Sequence, residues 1–421
     1  MTDTTFNFAP LLAPDLPAPA FKWGGQYPPF NFTGGHNAPE EVPVDDLIAA
    51  ASRALTKDGV TLATYFQASG FLGYLPLRDF LARKLKTSAG IDCTADEILL
   101  TSGSLQGIDL VNQVLLEPGD TVIFEEATYA GCLSRYARAG VKPIGIPLDT
   151  NSDGSGGMRM DKLEEALEDC AQRGVRPKYI YVIPTVQNPT ATIMSEARRL
   201  ELIALAAKYG VPIFEDECYS DLIWPNENNE VVRPPAIYAL DKSRSTIHIG
   251  SFSKSIAPAL RVGYIVADQA VLAQITGCKS DAGSPALDQM VLAEYCTGHF
   301  DTHVTKLNAA FKKRLDALVE ALEENFGTAA EFTVPPGGMF LWIKLPPEVD
   351  TSILAAKAME AGISINAGAE WSYKMEDATR YFRVCYANPT TDVIRQGIAK
   401  LAEICNREFG VPTRIANVES E

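Results

Sequence analysis

The sequence predicts an α/β protein in which helices cover both faces of a mostly parallel sheet. From Glu97 to about residue 290, short apolar runs alternate with longer segments whose apolar residues have helical spacing. This alternation is typical of βαβ units, and βαβ units build parallel sheets. Beyond residue 290, a long helical segment leads into a region of smaller α+β character. We therefore expect a large α/β domain followed by a smaller α+β domain.

The elements of both domains can be placed in order along the chain. Apolar runs predict strands at residues 97–103, 121–129, 142–148, 178–184, 211–217, 245–252 and 261–268. Helical spacing predicts helices at residues 104–116, 133–140, 162–174 and 196–210. In the smaller domain we expect a helix at 303–326 and further apolar runs at 333–346, 363–368 and 381–388. No complete βαβ unit precedes residue 45, so we expect this segment to pack as an arm with the smaller domain.

The bulk composition is that of a globular protein that repels polyanions. The chain has 421 residues, of which 46% are hydrophobic and 21% charged, and this length suffices for two or three domains. Its net charge of −16 argues against nucleic acid or an anionic membrane surface as a partner. We find no unbroken apolar stretch of the roughly 18 residues that a membrane helix needs, and no signal peptide.

The cysteines and histidines give no sign of a metal site or a disulfide framework. Eight cysteines are scattered without a CxxC pair, and the four histidines lack HxxxH spacing. These patterns indicate reduced thiols and a cytoplasmic protein without a metal.

Chemically unusual groups follow four of the predicted strands. Gly103 and Ser104 lie between a strand and a helix, where free backbone N–H groups form an anion site. Asn188 and Lys254 follow the strands at 178–184 and 245–252, and Asp216 lies at the end of the strand at 211–217. Because the carboxyl ends of parallel strands meet at one edge of a sheet, we expect these groups to cluster.

Each of these groups also has an ordinary interpretation. Ser104 is a normal helix cap, Asn188 a normal turn residue, and Lys254 could extend its amine to solvent. One chemistry, however, uses all of them together. Pyridoxal phosphate (PLP) forms a Schiff base with a lysine and needs a phosphate cradle and an acid at its ring nitrogen. Arg261 would complete the phosphate site as a fork-shaped donor.

In these residues and their neighbours, the chain resembles the fold type I, class I/II aminotransferases from about residue 31 to residue 389. SFSKSIAPALRVGY at 251–264 is similar to the family's lysine motif. The resemblance implies that Lys254 is the Schiff-base lysine and that Ser251 and Arg261 bind the phosphate. The spacing of seven residues from Lys254 to Arg261 resembles the aminoadipate/kynurenine aminotransferase and MocR-like branch.

Three further motifs resemble the cofactor site of this family. FEDECY, at 214–219, implies that Asp216 pairs with the ring nitrogen and that Tyr219 donates to the phenolic oxygen. The resemblance also implies that Asn188 of QNPT contacts the same phenolic oxygen. TSGSLQG and EEATY imply phosphate and ring contacts by the following residues: Ser104, the Leu105 backbone, Gln106, and Tyr129, which stacks on the ring.

The substrate side is implied by the same resemblance. YFRVCYAN makes Arg383 the clamp for the α-carboxylate, with Asn188 beside it, and Gly35 of TGGHNAPE lies on the segment that lines the substrate pocket. Tyr65 is the candidate that reaches the phosphate of a neighbouring subunit in a homodimer, although about three extra residues follow it. We assign no role to His36.

The resemblance also implies a seven-stranded sheet and three regions of the chain. These are an N-terminal arm at 1–45, a PLP-binding domain at 46–290 and a small C-terminal domain at 291–421. MocR-like proteins carry a DNA-binding helix-turn-helix. Only acidic, proline-rich residues precede the enzyme-like region here, so we expect no such domain.

The implied function is transamination between an amino acid and a 2-oxo acid by a ping-pong mechanism. The sequence departs from the family at Ala127, Ala191 and Trp371, which replace proline, glycine and phenylalanine. These changes leave another PLP reaction open, namely elimination, γ-substitution, decarboxylation or oxidation. Two further alternatives are a non-catalytic regulator and a binding protein that has lost catalysis. The intact Lys254 argues against the binding protein. The sequence does not identify the substrates.

Overall fold

A computed structural model describes residues 6–12, 16, 27–65, 70–226 and 228–413. Its strands are β1 (Phe30–Asn31), β2 (Ile98–Thr101), β3 (Thr121–Glu125), β4 (Lys142–Ile146), β5 (Leu148–Thr150), β6 (Gly156–Met158), β7 (Ile180–Val182), β8 (Ile213–Asp216), β9 (Thr246–Ser251), β10 (Gly263–Val266), β11 (Phe340–Lys344), β12 (Ile363–Ser364), β13 (Asn366–Ala367) and β14 (Tyr381–Cys385). Its α-helices are α1 (Val44–Asp58), α2 (Leu75–Ala89), α3 (Ser104–Leu115), α4 (Ala130–Ala139), α5 (Met160–Gln172), α6 (Glu196–Tyr209), α7 (Ile237–Leu240), α8 (Gln269–Cys278), α9 (Ala286–Asn325), α10 (Thr351–Glu360) and α11 (Thr391–Phe409).

The large sheet confirms the expected seven-stranded, mostly parallel arrangement. Its strand order is β2-β10-β9-β8-β7-β3-β4, and only β10 runs antiparallel to its neighbours. A parallel connection needs a crossover of a dozen or more residues, usually with a helix. Residues 252–262 join β9 to β10 with only a short 3-10 helix, so the chain turns back as an antiparallel strand.

The carboxyl ends of the parallel strands carry the groups that the sequence singles out. Strands β7, β8 and β9 pair in parallel, with Val182 beside Glu215 and Asp216 beside Ile249. All residues of these three strands are buried, as expected for a sheet covered on both faces. The residues that follow them therefore emerge side by side at one edge.

The smaller region is built around a three-stranded sheet with the order β11-β14-β13. Strand β1 of the N-terminal segment pairs with β12, so that Phe30 lies opposite Ile363 and Asn31 opposite Ser364. One apolar cluster continues from the large sheet to this region and includes Phe124 and Phe340. The shared core fixes β14 in relation to the edge of the large sheet.

Two elements differ from the sequence prediction. Helix α9 begins at Ala286 rather than near residue 303, because its first turns are held by buried residues such as Met290 and Tyr295. The expected boundary at residue 290 therefore falls inside a continuous helix. The predicted run at 363–368 divides into β12 and β13, since the first pairs with β1 and the second with β14. Within the described part of the chain, every helix is too short or too polar to cross a membrane.

Candidate active site

Lys254 lies in the turn after β9, with its side chain directed toward the N-terminal segment. Its Nζ donates a hydrogen bond to the carbonyl oxygen of Gly35 and lies 5.9 Å from the centre of the Tyr219 ring. A Cβ atom on Gly35 would lie 3.3 Å from Nζ, so glycine allows this close approach. Burial lowers the pKa of the Lys254 amine, which favours the neutral form that acts as a base.

Asp216 ends β8 with its carboxylate almost completely buried. Its Oδ2 accepts a hydrogen bond of 2.8 Å from the Tyr181 hydroxyl, and its Oδ1 accepts one of 3.2 Å from the Cys218 backbone N–H. Desolvation raises the pKa of Asp216. A cation placed beside this carboxylate would offset the cost of burying its charge.

Three side chains from distant parts of the chain form a hydrogen-bonded row. Asn188 Nδ2 donates to the Tyr219 hydroxyl oxygen at 2.9 Å, and Arg383 Nη1 donates to Asn188 Oδ1 at 3.0 Å. The hydroxyl proton of Tyr219 thus remains available for an acceptor in the cleft. Asn188 links the edge of the large sheet to β14.

Arg383 is held between two aromatic rings. Its guanidinium carbon lies 4.0 Å from the centre of the Phe340 ring and 3.6 Å from that of Trp371. Nη2 donates to the Thr33 carbonyl oxygen at 3.1 Å and to Asn366 Oδ1 at 2.8 Å. Burial lowers the pKa of Arg383 to about 10, so the group is still a cation at neutral pH. It is a fork-shaped donor for a carboxylate.

The N-terminus of α3 and a second arginine, Arg261, lie at the end of the cleft opposite Arg383. Gly103 has φ +80° and precedes α3, whose first turn carries Ser104 and Leu105. The positive φ of Gly103 favours glycine there, and a Cβ atom would lie 2.2 Å from Nη2 of Arg261, which would have to move. Arg261 is exposed, and its Nη2 also donates to the Ser102 carbonyl oxygen at 3.2 Å. Backbone N–H groups and a guanidinium together form an anion site.

The family of the chain follows from comparison with known proteins. The profile of the family described as Aminotransferase class I and II matches residues 31–401. The chain belongs to this family. It is a PLP-dependent aminotransferase, an enzyme that acts on an amino acid and a 2-oxo acid.

Three similar proteins represent the relatives of this aminotransferase. Aromatic-amino-acid aminotransferase 1 of Thermococcus litoralis is 33% identical over 90% of this chain and 88% of its own length. The uncharacterized HTH-type transcriptional regulator YdfD of Bacillus subtilis is 35% identical over 78% of this chain, which spans 65% of that regulator. LysN, the alpha-aminoadipate aminotransferase of Thermus thermophilus, was solved with N-(5'-phosphopyridoxyl)-L-leucine. It superposes with a TM-score of 0.80 at 28% identity, over 90% of this chain and 92% of LysN.

The cleft of the aminotransferase has the donor set that PLP requires. An amine, a buried carboxylate, a phenol and an anion site line one cavity. The predicted site residues in its lining are Ser104, Leu105, Tyr129, Asp216, Tyr219, Ser251, Lys254 and Arg261. The anion site suits a phosphate, and the buried Asp216 suits a protonated ring nitrogen. The residues present therefore fit the cofactor.

Five predicted residues of the aminotransferase lie outside this lining. Gly35 and Asn188 are hydrogen-bonded to its Lys254 and Tyr219, and Arg383 is hydrogen-bonded to Asn188. The other two are Gln106 and Tyr65. The Gln106 amide accepts from the Ser102 backbone N–H at 2.7 Å and donates to Asp281 Oδ2 at 2.6 Å. Gln106 is two residues after Ser104, about 200° further around α3, and so faces another side of the helix. Tyr65 is 82% exposed and lies near Phe71, away from the cleft. The roughly three extra residues belong to the stretch 65–78, of which residues 66–69 lie outside the described residues.

The sequence analysis missed several side chains that hold the site of the aminotransferase together. Tyr181 carries the hydroxyl that bonds Asp216, and the alternating tyrosines of KYIYVIP could have indicated it. Thr33, Phe340 and Asn366 contact Arg383, and no local pattern marks them. His36 lies beside Asn388, with its Nδ1 3.2 Å from the Asn388 amide nitrogen.

Glu125 is a buried carboxyl group whose ionisation should make the stability of the aminotransferase depend on pH. Its Oε2 accepts from the Ile183 N–H at 3.0 Å and from Gln187 Nε2 at 3.2 Å, and burial raises its pKa from 4.5 to about 8. Between these pH values the folded chain binds more protons than the unfolded chain, so the free energy of unfolding falls as pH rises. Replacement by glutamine removes this ionisation.

We therefore expect Glu125→Gln to be more stable than the parent at pH above about 8, by a few kcal/mol, with a smaller difference near pH 5. Melting temperatures measured across this range test the expectation. The exposed Glu117 offers a control, since Glu117→Gln should keep the parent's profile. Melting temperatures of Glu125→Gln and the parent that change in parallel with pH would contradict the role of Glu125.

Proposed function

We propose that this aminotransferase binds PLP through Lys254 and orients its substrates through Arg383. The observation that carries the proposal is the row from Arg383 through Asn188 to Tyr219, whose ring lies 5.9 Å from Lys254 Nζ. A substrate whose carboxylate binds Arg383 would direct its α-carbon toward Lys254. Asn188 connects the two ends of this row.

When bound, PLP supplies a carbonyl for the amino group and an electron-withdrawing ring. Asp216 would keep a proton on the ring nitrogen, because its buried carboxylate is stabilised by a neighbouring cation. Tyr219 and Asn188 would donate to the phenolic oxygen, and Tyr129 would cover the ring face. Ser251 and Arg261 would hold the phosphate with the Ser104 and Leu105 end of α3.

Lys254 moves the proton in the proposed mechanism. Its Nζ would take the α-proton of the amino acid as a general base, and the resulting ammonium would deliver that proton, as a general acid, to the carbon of the cofactor's carbonyl group. Burial lowers the pKa of Lys254, which favours the first step. Arg383 fixes the carboxylate, so that only the α-carbon approaches Nζ.

A half-reaction experiment tests transamination. The holoenzyme is mixed with single amino acids, each without a 2-oxo acid, and its visible absorbance is followed. We expect a productive donor to remove the visible band and a 2-oxo acid to restore it, as a ping-pong mechanism requires. Ammonia release, or loss of the band without restoration, would contradict it. Aromatic amino acids and 2-aminoadipate are the first donors for the panel, because the similar proteins carry these names.

A homodimer is also part of the proposal. Large apolar side chains remain exposed on α1, on the segment that follows it, and at the starts of α2 and α9. They are Val44, Ile48, Leu55, Val60, Leu62, Tyr65, Phe71, Leu75 and Leu287. Exposed apolar surface of this kind is typical of an interface, and a second copy would cover it. Tyr65 would then reach the phosphate site of the partner.

Sedimentation tests the dimer. We expect a species of twice 45.6 kDa for the parent and a monomer for the double variant Ile48→Glu, Val60→Glu, because two buried unpaired charges oppose association. Leu200 on α6 is 48% exposed and serves as the control position for a Leu200→Glu variant. A monomeric parent would overturn the dimer.

We further propose that the enzyme acts in the cytoplasm, with residues 46–290 as its PLP-binding domain and residues 1–45 and 291–421 forming the smaller part. All eight cysteines are free, which supports a reducing compartment. Under this division, Arg383 and Lys254 belong to different domains, and the substrate binds between them.

A further inference from the structure

A buried cluster of charged and polar side chains lies beneath the cleft. Arg199 and Thr185 are 0% exposed and Glu217 is 2% exposed. Burial of an arginine and a carboxylate is costly unless both are paired and hydrogen-bonded. The hydrogen bonds of the cluster converge on Glu217 Oε1, whereas Glu217 Oε2 has no hydrogen bond from the described residues and lies 4.0 Å from Arg233 Nη2. The bonds to Oε1 connect the two loops that carry Asn188 and Tyr219.

Arg199, on α6, uses all three guanidinium nitrogens. Nε donates to the Met194 carbonyl oxygen at 2.9 Å, and Nη2 donates to the Pro184 carbonyl oxygen at 3.0 Å and to Thr185 Oγ1 at 2.8 Å. Pro184 and Met194 are the two ends of the loop that contains Asn188. Arg199 thus closes this loop from inside the protein.

The same guanidinium also contacts the next loop. Its Nη1 donates to Glu217 Oε1 at 3.3 Å, and Thr185 Oγ1 donates to the same oxygen at 2.7 Å. Glu217 lies between Asp216 and Tyr219. Thr185 lies three residues before Asn188, and Glu217 lies two residues before Tyr219. The Thr185–Glu217 bond therefore joins the two loops at their bases, while the 2.9 Å bond from Asn188 to Tyr219 joins them in the cleft.

We propose that Thr185 is a positioning residue that acts through Glu217 and Arg199 on the Asn188–Tyr219 pair. The proposal rests on the proposed function, in which this pair donates to the phenolic oxygen of the bound cofactor. The Thr185 hydroxyl fixes the Asn188 loop against the Tyr219 loop, so loss of this hydroxyl would displace both donors of the pair. A 1 Å displacement of a positioning element can cost on the order of 100-fold in rate.

The experiment compares Thr185→Val and Thr185→Ser in the holoenzyme. Valine has nearly the shape of threonine but no hydroxyl, whereas serine keeps the hydroxyl. The measured quantity is the pH midpoint of the visible absorbance of the bound cofactor, which depends on the donors at the phenolic oxygen. We expect Thr185→Val to shift the midpoint and to lower kcat/KM about 10- to 100-fold, and Thr185→Ser to keep the parent values.

Thr246→Val is the matched control. Thr246 is 1% exposed, and its Oγ1 donates to Asp241 Oδ2 at 2.8 Å, so it is also a buried threonine bonded to a carboxylate. It begins β9, at the opposite edge of the sheet from the cleft. We expect Thr246→Val to lower the melting temperature without a shift of the midpoint. If Thr185→Val behaves in the same way, Thr185 is only structural and the proposal is wrong.

Tyr219→Phe separates this proposal from the function on which it depends. It removes the phenol and should shift the midpoint by itself. In a Tyr219→Phe background, the effect of Thr185→Val on the midpoint should shrink, because the pair that it positions is already broken. No shift in Tyr219→Phe alone would contradict the role proposed for Tyr219. A shift in Tyr219→Phe with none in a folded Thr185→Val, or equal effects of Thr185→Val in both backgrounds, would overturn the positioning role only.

Discussion

Lys254→Ala is expected to lower kcat on the order of 10⁴-fold or more, because it removes both the covalent link to the cofactor and the general base. The visible absorbance of the bound cofactor should be lost as well. Among the described residues, Lys254 is the lysine that lines the cleft with Asp216 and Tyr219. Stopped-flow absorbance with an active donor measures both effects.

Lys84→Ala is a suitable control for this experiment. Lys84 is 7% exposed at its side chain and forms an ion pair of 2.7 Å with Asp221, and neither residue lines the cleft. We expect its replacement to affect stability but to leave the visible band in place. Retention of the band in Lys254→Ala would overturn the assignment of the lysine.

Arg383→Leu should produce the second largest effect, and it should depend on the carboxylate of the substrate. Truncating one partner of a buried, hydrogen-bonded charge pair costs about 2–5 kcal/mol, which is roughly 30- to 5000-fold in kcat/KM. Leucine preserves the apolar contact with Phe340 and Trp371, which lie 4.0 Å and 3.6 Å from the guanidinium carbon. The loss of activity therefore reports mainly the loss of the fork-shaped donor.

Two comparisons identify the carboxylate as the cause. An amine that matches the donor but lacks the α-carboxylate should react equally poorly with parent and variant. Arg380→Leu serves as the control variant, because Arg380 donates to the Leu345 carbonyl oxygen at 3.0 Å and lies before β14. If Arg383→Leu slowed the reactions of the amine and of the amino acid by the same factor, Arg383 would not be the clamp for the α-carboxylate.

Much of the site could be predicted because its chemistry is local. A buried apolar run fixes where a strand ends, and a parallel arrangement brings these ends together. Asp216 could therefore be found from its position at the end of β8, and Lys254 and the Gly103–Ser104 turn from their positions after β9 and β2. The motif predicts Gln106 at the phosphate but does not specify that its amide bonds Ser102 and Asp281.

The remaining contacts of the site depend on packing between distant segments. Arg383 reaches Asn188 across 195 residues, and Thr33 approaches Arg383 from the N-terminal segment across 350 residues. Periodicity assigns a residue to a face of its own element but does not select the partner on another element. For the same reason, no local pattern indicated that α9 runs through residue 290.

By itself, the sequence determined the α/β class, the seven strands and the order of the chemical groups at their ends, because apolar periodicity and turn residues act over a few neighbouring residues. Only the tertiary structure decided which of these groups meet. It placed Arg383 between Phe340 and Trp371, and it joined the Asn188 and Tyr219 loops through Thr185, Glu217 and Arg199. Such contacts arise from the packing of complete elements, which no short stretch of the chain specifies.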